Sequence, residues 1–251
     1  MKLESVSLNE KEIAVTEHLE ELRKRIIISL VSITVASAIA YSKIILLIEF
    51  MMKPLRGLNL ELVFFSLTEG FITRFKLAVL VGIVCMSPII FYEIIAFIIP
   101  GLKKKEKVLL YCSIFFLCVF FISGILFGYI ILLPYVLNFL MNYSQSYLNP
   151  ILSGSMYLGF IGAFCLVMGF IFIIPLLLLI LGLVGVINSK ILRKSRRYMI
   201  LGLAAIELSF IPATDMLTFF VVILPVLVIY EIAIWIIYFI EKRKMKKIDL
   251  E

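Results

Sequence analysis

The residues of this chain whose types could do chemistry are few, and most are acids. Glu93, Glu207, Asp215 and Glu231 lie within or beside long apolar runs. A carboxylate at the centre of a bilayer costs at least about 2.5 kcal/mol, so each needs a cation, a water-filled cavity or a place near the interface. Glu93 stands near the end of its run, and nothing beyond that position is needed to explain it. Asp215 follows Thr214 at a turn, where either side chain suits a helix cap. Glu207 is different: it sits about ten residues into a short run with no nearby cation in sequence. A functional or inter-subunit role is expected for it. The other concentration of charge is the stretch from Thr16 to Arg25, with seven ionisable side chains directly ahead of an apolar run. Read as a helix, Val15, Leu19, Leu22 and Ile26 form one stripe and His18, Glu21 and Arg25 another. Glu20–Lys24 and Glu21–Arg25 are acid-before-base pairs at four residues, worth roughly 0.2–0.5 kcal/mol each. Such a segment would lie at a membrane surface and turn into the bilayer. The plainer reading is that it anchors the first span.

No catalytic constellation accompanies these acids. The chain has no Gly-x-Ser-x-Gly, no His-Glu-x-x-His and no phosphate loop, and His18 is its one histidine. An intramembrane hydrolase would need a polar dyad on its helices, and none is visible. Cys85, Cys112, Cys118 and Cys165 all sit in apolar runs without a Cys-x-x-Cys pair, so they read as small buried hydrophobes. No catalytic residue, metal or cofactor is expected. An ion or small-solute carrier is the alternative class, but carriers usually show related halves around a midplane polar site. Neither feature is evident.

The elements that must position these residues are helices in a membrane. The 251 residues are 63% hydrophobic and 16% charged, whereas charged residues supply about a quarter of an ordinary soluble domain. The fold class expected is an all-α membrane protein, one domain over residues 1–251 with six transmembrane helices. The spans run over about 26–41, 71–99, 108–133, 156–186, 198–211 and 216–240, after an amphipathic cytoplasmic segment 1–25 and before a basic tail 241–251. The first apolar run lacks a cleavage site and should be retained. Between the first two spans, Leu60, Leu62, Val63, Phe64 and Phe65 are too apolar for a free linker and predict a short interfacial helix. Pro134 closes the third span, in which Gly124-x-x-x-Gly128 would allow close helix packing. The fourth span contains Pro175 and exceeds what a bilayer needs. The fifth is short: its fourteen residues reach about 20 Å against a core of about 30 Å.

Charge placement orients the bundle. The N-terminal region, the 100–107 and 190–197 connections and the tail carry nineteen Lys and Arg, and the intervening loops three. By the positive-inside preference both termini are cytoplasmic. The net charge of +7 therefore reflects orientation and not nucleic-acid binding.

The sequence resembles the TatC family, the core receptor subunit of the twin-arginine protein translocase, from His18 to about Trp235. His18-Leu19-Glu20-Glu21-Leu22-Arg23-Lys24-Arg25 fits the family's His-Leu-x-Glu-Leu-Arg-x-Arg. Glu69, Phe71 and Lys76 resemble its entry into the second helix. Pro88, Tyr92, Phe97, Pro100, Leu102 and Glu106-Lys107 fit its first cytoplasmic loop, and Asp215, Pro225 and Tyr230-Glu231 its last hairpin. The resemblance implies a non-enzymatic receptor for paired-arginine signal peptides on folded cargo, without nucleotide or cofactor, driven by the proton gradient. It implies TatA- and TatB-type single-span partners, self-association and lipid contact, in a bacterial cytoplasmic membrane or an organelle. By that resemblance Glu21 and Glu106 would take the arginines, with Phe97 and Pro100 as an apolar wall and Arg23 and Arg25 positioning the N-terminal helix. Glu69, Glu207, Asp215 and Glu231 would serve intramembrane or partner contacts. Departures are Leu67 for a family proline, Ile173 for a glutamate before the fourth-helix proline, Phe219 for a glutamine, and an altered turn ahead of Asp215. Glu207 is then expected to supply the carboxylate missing at Ile173.

Overall fold

Helix dominates the computed structural model, which describes residues 2–57, 62–98, 107–144, 152–210 and 216–248. The helices are α1 (Lys2–Ser42), α2 (Ile44–Met52), α3 (Glu69–Cys85), α4 (Ser87–Ile98), α5 (Lys107–Phe127), α6 (Leu133–Ser144), α7 (Gly154–Val184), α8 (Ser189–Phe210) and α9 (Met216–Ile248). Two two-residue strands, β1 (Leu62–Val63) and β2 (Leu152–Ser153), pair in parallel with Leu62 opposite Leu152. Contacts divide the chain into two units. One joins residues 1–44 to 74–115, and the other joins 45–73 to 116–251.

Among the described residues, four stretches are helical, long and apolar enough to cross a membrane: 16–42, 111–141, 154–184 and 219–243. The pair α3 and α4 makes a fifth, bent by 58° at its break. Pro88, the second residue of α4, has no N–H to continue the ladder, which accounts for the bend there. The fifth expected span lies in α8, whose apolar part begins only after Arg197. Many large apolar side chains are more than half exposed, Leu46, Phe71, Phe115 and Leu201 among them. That surface suits acyl chains and not water.

In the first unit α1 packs on α4 and α3. A Cβ on Gly82 of α3 would lie 2.9 Å from the Ile33 carbonyl oxygen of α1, so the missing side chain is what lets the two backbones approach. In the second unit Gly124 of α5 does the same against α7: its Cβ would stand 2.6 Å from the Met168 carbonyl, and one on Gly128 would stand 3.0 Å from Met168 Cβ. The expected packing role of this glycine pair is met. Gly169 on the facing helix adds to it, since its Cβ would meet the Phe121 ring at 2.7 Å. Ser153 caps α7 by accepting from the Met156 N–H at 3.3 Å. Gly185 ends the helix at φ +88°, with N–H groups of Gly185 and Val186 returning to the carbonyls of Gly182 and Leu181.

The structure corrects several expected boundaries. There is no turn between a surface segment and the first span, because α1 is continuous from Lys2 to Ser42. A helix already bonded along its backbone gains nothing by breaking where the sequence offers no Pro or Gly. The short helix after it is α2 at Ile44–Met52, and residues 62–63 are a strand instead. Pro134 does not close the third span. One turn of π-helix, Gly128–Leu132, precedes it, and α6 carries on to Ser144. The wider turn accommodates a ring that would clash with an ordinary α ladder. The basic stretch 190–197 lies inside α8, and α9 runs through the tail to Ile248.

Candidate functional site: a shared guanidinium between two helices

The charged N-terminal stretch acquires a fixed geometry from α4. On α1, His18, Glu21 and Arg25 follow steps of three and four and so share a face; on α4, Glu93 and Phe97 are four apart. The imidazole of His18 stacks on the Phe97 ring, centroids 4.3 Å apart and planes within 12°. Seven residues along α1, Arg25 Nη1 donates to Glu93 Oε2 at 2.8 Å. The order of these pairs makes the two helices antiparallel, held at two points.

Arg25 also reaches along its own helix. Its Nε donates to Glu21 Oε1 at 3.1 Å and its Nη2 to the same oxygen at 2.5 Å. One guanidinium therefore neutralises two carboxylates of unequal access. The side chains of Glu21, Arg25 and Glu93 are 37%, 20% and 11% exposed. Glu21 can be approached from outside, whereas Glu93 is nearly sealed. Arg's fixed fork of donors is suited to bridging in this way, and a Lys would not reproduce it.

The remaining residues of interest are distributed unevenly. Arg23 is exposed and lines a shallow hollow with Glu20, Lys24, Ile27 and Ile28, outside the triad. The expected Glu20–Lys24 ion pair is not formed among the described residues; the triad holds the one acid-before-base pair that is. Pro100, Glu106 and Asp215 lie outside the described residues. Glu69 turns back on the chain before α3, accepting from the Phe65 N–H at 2.7 Å and the Ser66 N–H at 3.4 Å. Its position three residues after Ser66 is a capping-box spacing, so its visible work is local.

Glu231 on α9 accepts from Arg196 Nη2 on α8 at 2.7 Å, a pair open to solvent at 39% and 45% exposure. Glu207, also on α8, is wholly buried, and neither carboxylate oxygen has a hydrogen-bond partner among the described residues. Ile173 on α7 is buried as well. Sequence reasoning missed three features here. The role of Glu93 was one, although an acid four residues before an aromatic on a membrane helix is a visible pattern. The His18–Phe97 stack was another. The third is Glu241, which accepts from Ser189 N–H at 3.0 Å and from Ser189 Oγ at 2.5 Å and so caps α8 from α9.

Chemically, the first-unit arrangement is two carboxylates on one planar guanidinium, with one of the carboxylates still accessible. Among the described residues no three metal-binding side chains converge. Comparison with known proteins gives the chain a family. The family described as "Sec-independent protein translocase protein (TatC)" matches residues 17–225. The Sec-independent protein translocase protein TatC of Carboxydothermus hydrogenoformans is 31% identical over 237 residues, covering 94% of this chain and 98% of that protein. The chloroplastic Sec-independent protein translocase protein of Pisum sativum is 32% identical over 91% of this chain and 65% of its own length. A crystal structure of the twin-arginine translocase receptor TatC in DDM matches with TM-score 0.76 at 33% identity, covering 87% of this chain and 98% of that one.

Proposed function

Because the chain belongs to the TatC family of Sec-independent protein translocase proteins, we propose that Glu21 is the docking carboxylate for paired-arginine signal peptides of folded precursors. It is an integral membrane subunit of a protein translocase, with relatives in bacteria and in chloroplasts. The carrier alternative finds no support in these relatives. The observation that carries the docking reading is the bond pattern at Glu21. Its carboxylate already accepts two N–H groups of a guanidinium, while more than a third of the side chain stays exposed. An incoming arginine would meet an acceptor of the right charge and planarity.

The rest of the proposed site is what the family resemblance implies. Glu106 would take the second arginine, and Phe97 and Pro100 would form the apolar wall beside them. The protein would act without catalysis. It would assemble with TatA- and TatB-type single-span partners and with further copies of itself, drawing on the proton gradient. Both termini would be cytoplasmic, in agreement with the placement of Lys and Arg. Glu207, Asp215, Glu231 and Glu69 would serve the partner-facing side. Of these Glu207 has the firmest physical ground: it is wholly buried with no hydrogen-bond partner among the described residues, and a partner's polar group would reach it only once the helices around it part.

The test is a photo-crosslinking measurement in membranes with a paired-arginine peptide. Labelling should fall when the arginines become lysines, and Glu21→Gln should weaken it while the protein keeps its abundance and thermal midpoint. Equal labelling by the lysine peptide would sink the receptor reading.

A further inference from the structure

We propose that Arg25 is a resident competitor for the peptide's arginine, and that Glu93 is the counter-charge that lets Arg25 yield. This rests on the reading of Glu21 as the docking carboxylate. The geometry supplies each part. Arg25 spends its Nε and one Nη donor on Glu21 and its other Nη donor on Glu93. Both of its bonds to Glu21 fall on Oε1, so a guanidinium that grips Glu21 in a two-bond fork across both oxygens competes with Arg25 for Oε1. Displacement is tolerable because Arg25 retains its bond to Glu93, and so keeps an anion beside it in a site where it is only one-fifth exposed. Without Glu93 the displaced cation would stand partly buried with no acceptor.

The same competition gives selectivity. A lysine ammonium is a compact, strongly hydrated point charge, and it cannot reproduce two parallel N–H bonds to a carboxylate. Against an empty Glu21 the difference between Arg and Lys would be modest. Against a Glu21 already holding a guanidinium, the weaker ligand fails to displace the resident. Arg25 thus sets a threshold that works against the wrong ligand, as repulsive or competing elements do in other specific sites. Glu93 need not touch the peptide; its 11% exposure keeps it behind Arg25. It is a positioning residue.

The experiment measures binding of fluorescent paired-arginine and paired-lysine signal peptides to the full-length protein in detergent or nanodiscs. Glu93→Gln should weaken the arginine peptide roughly fivefold, the factor that corresponds to about 1 kcal/mol, because Arg25 then leans wholly on Glu21. Arg25→Gln/Glu93→Gln should restore binding to wild-type strength or better. Arg25→Gln alone should narrow the arginine-over-lysine ratio by a similar factor. A merely structural role for Glu93 predicts no rescue by a second lesion and no change in that ratio. Each variant is also checked for its thermal midpoint, and the double variant, which buries no unpaired charge, covers the case in which Glu93→Gln fails to fold. Wild-type binding that prefers arginine, with Glu93→Gln unchanged or the double variant no better than the single, overturns the competitor mechanism alone. Wild-type binding with no preference for arginine overturns the docking reading and the competitor with it.

Discussion

Two carboxylates in this protein meet opposite fates. Glu93 is nearly buried and shares a guanidinium with Glu21; Glu207 is wholly buried and has no hydrogen-bond partner among the described residues. The first is settled within its own chain, and what remains open is Glu21, the exposed member of the triad. The second is not settled within the described residues, and a group left in that condition carries a desolvation cost of about 1–3 kcal/mol. The difference teaches where each region is set to act. On the proposed reading, a satisfied cluster with one accessible member would exchange ligands, and an unsatisfied buried group would wait for one. Stability and function should therefore respond in opposite directions at the two places.

The largest expected effect is at the shared cation. Arg25→Ala leaves Glu93 without a counter-ion behind a nearly closed surface. Breaking a fully buried ion pair from one side costs roughly 3–5 kcal/mol; with Arg25 one-fifth exposed, about 2–3 is expected here. Thermal unfolding in detergent would report it. Arg25→Met combined with Glu93→Leu should recover most of that loss, since an apolar pair carries no desolvation penalty. If the double variant is as unstable as the single, the cost lies in lost packing and not in the stranded charge.

Glu207 should show the reverse sign. Glu207→Leu removes two unpartnered oxygens from a buried position and should stabilise the protein by about 1–3 kcal/mol, read as a higher thermal midpoint. Translocation of a paired-arginine reporter should drop in the same variant, and in Glu207→Ala, while peptide docking stays intact. A gain in stability bought with a loss of activity marks a group kept for function. Normal transport by Glu207→Ala at wild-type abundance would end the idea that it replaces the carboxylate absent at Ile173.

The contrast also explains what was readable from sequence. Glu207 stood out because its isolation is local: no cation lies within a helical turn or two of it on its own run. The Glu21–Arg25 pair was readable for the same reason, four residues apart on one helix. Glu93 was not, because its partner is 68 residues away on another helix, and only the crossing of α1 with α4 brings them together. Glu241 and Ser189, 52 residues apart, escaped in the same way. The helical, membrane-spanning class followed from composition alone. Its boundaries were less secure where backbone chemistry had two solutions. Pro134 can end a helix or, after a π turn, sit inside one. The basic stretch 190–197 reads as a loop by charge, yet it folds into α8, where Arg193 lies over the Tyr238 ring at 4.8 Å and Arg196 pairs with Glu231.

That last pair provides the smallest effect and the control for the other two. Glu231 and Arg196 are joined by a bond as short as the one between Arg25 and Glu93, but both side chains are about two-fifths exposed. Water already solvates most of both charges, so the pair should add only about 0.2–1 kcal/mol. The helices it joins are held independently by buried Leu192, Tyr230, Ile234 and Ile237, and by the Tyr230 hydroxyl donating to the Leu192 carbonyl at 2.8 Å. Glu231→Gln should shift the thermal midpoint by no more than about 2–4 °C, what about 1 kcal/mol moves in a domain of this size. The shift should shrink further in high salt, which screens exposed charges far more than sheltered ones. A salt-independent loss as large as that of Arg25→Ala would mean that bond length, and not access to water, ranks these carboxylates, and the contrast between Glu93 and Glu207 would lose its basis.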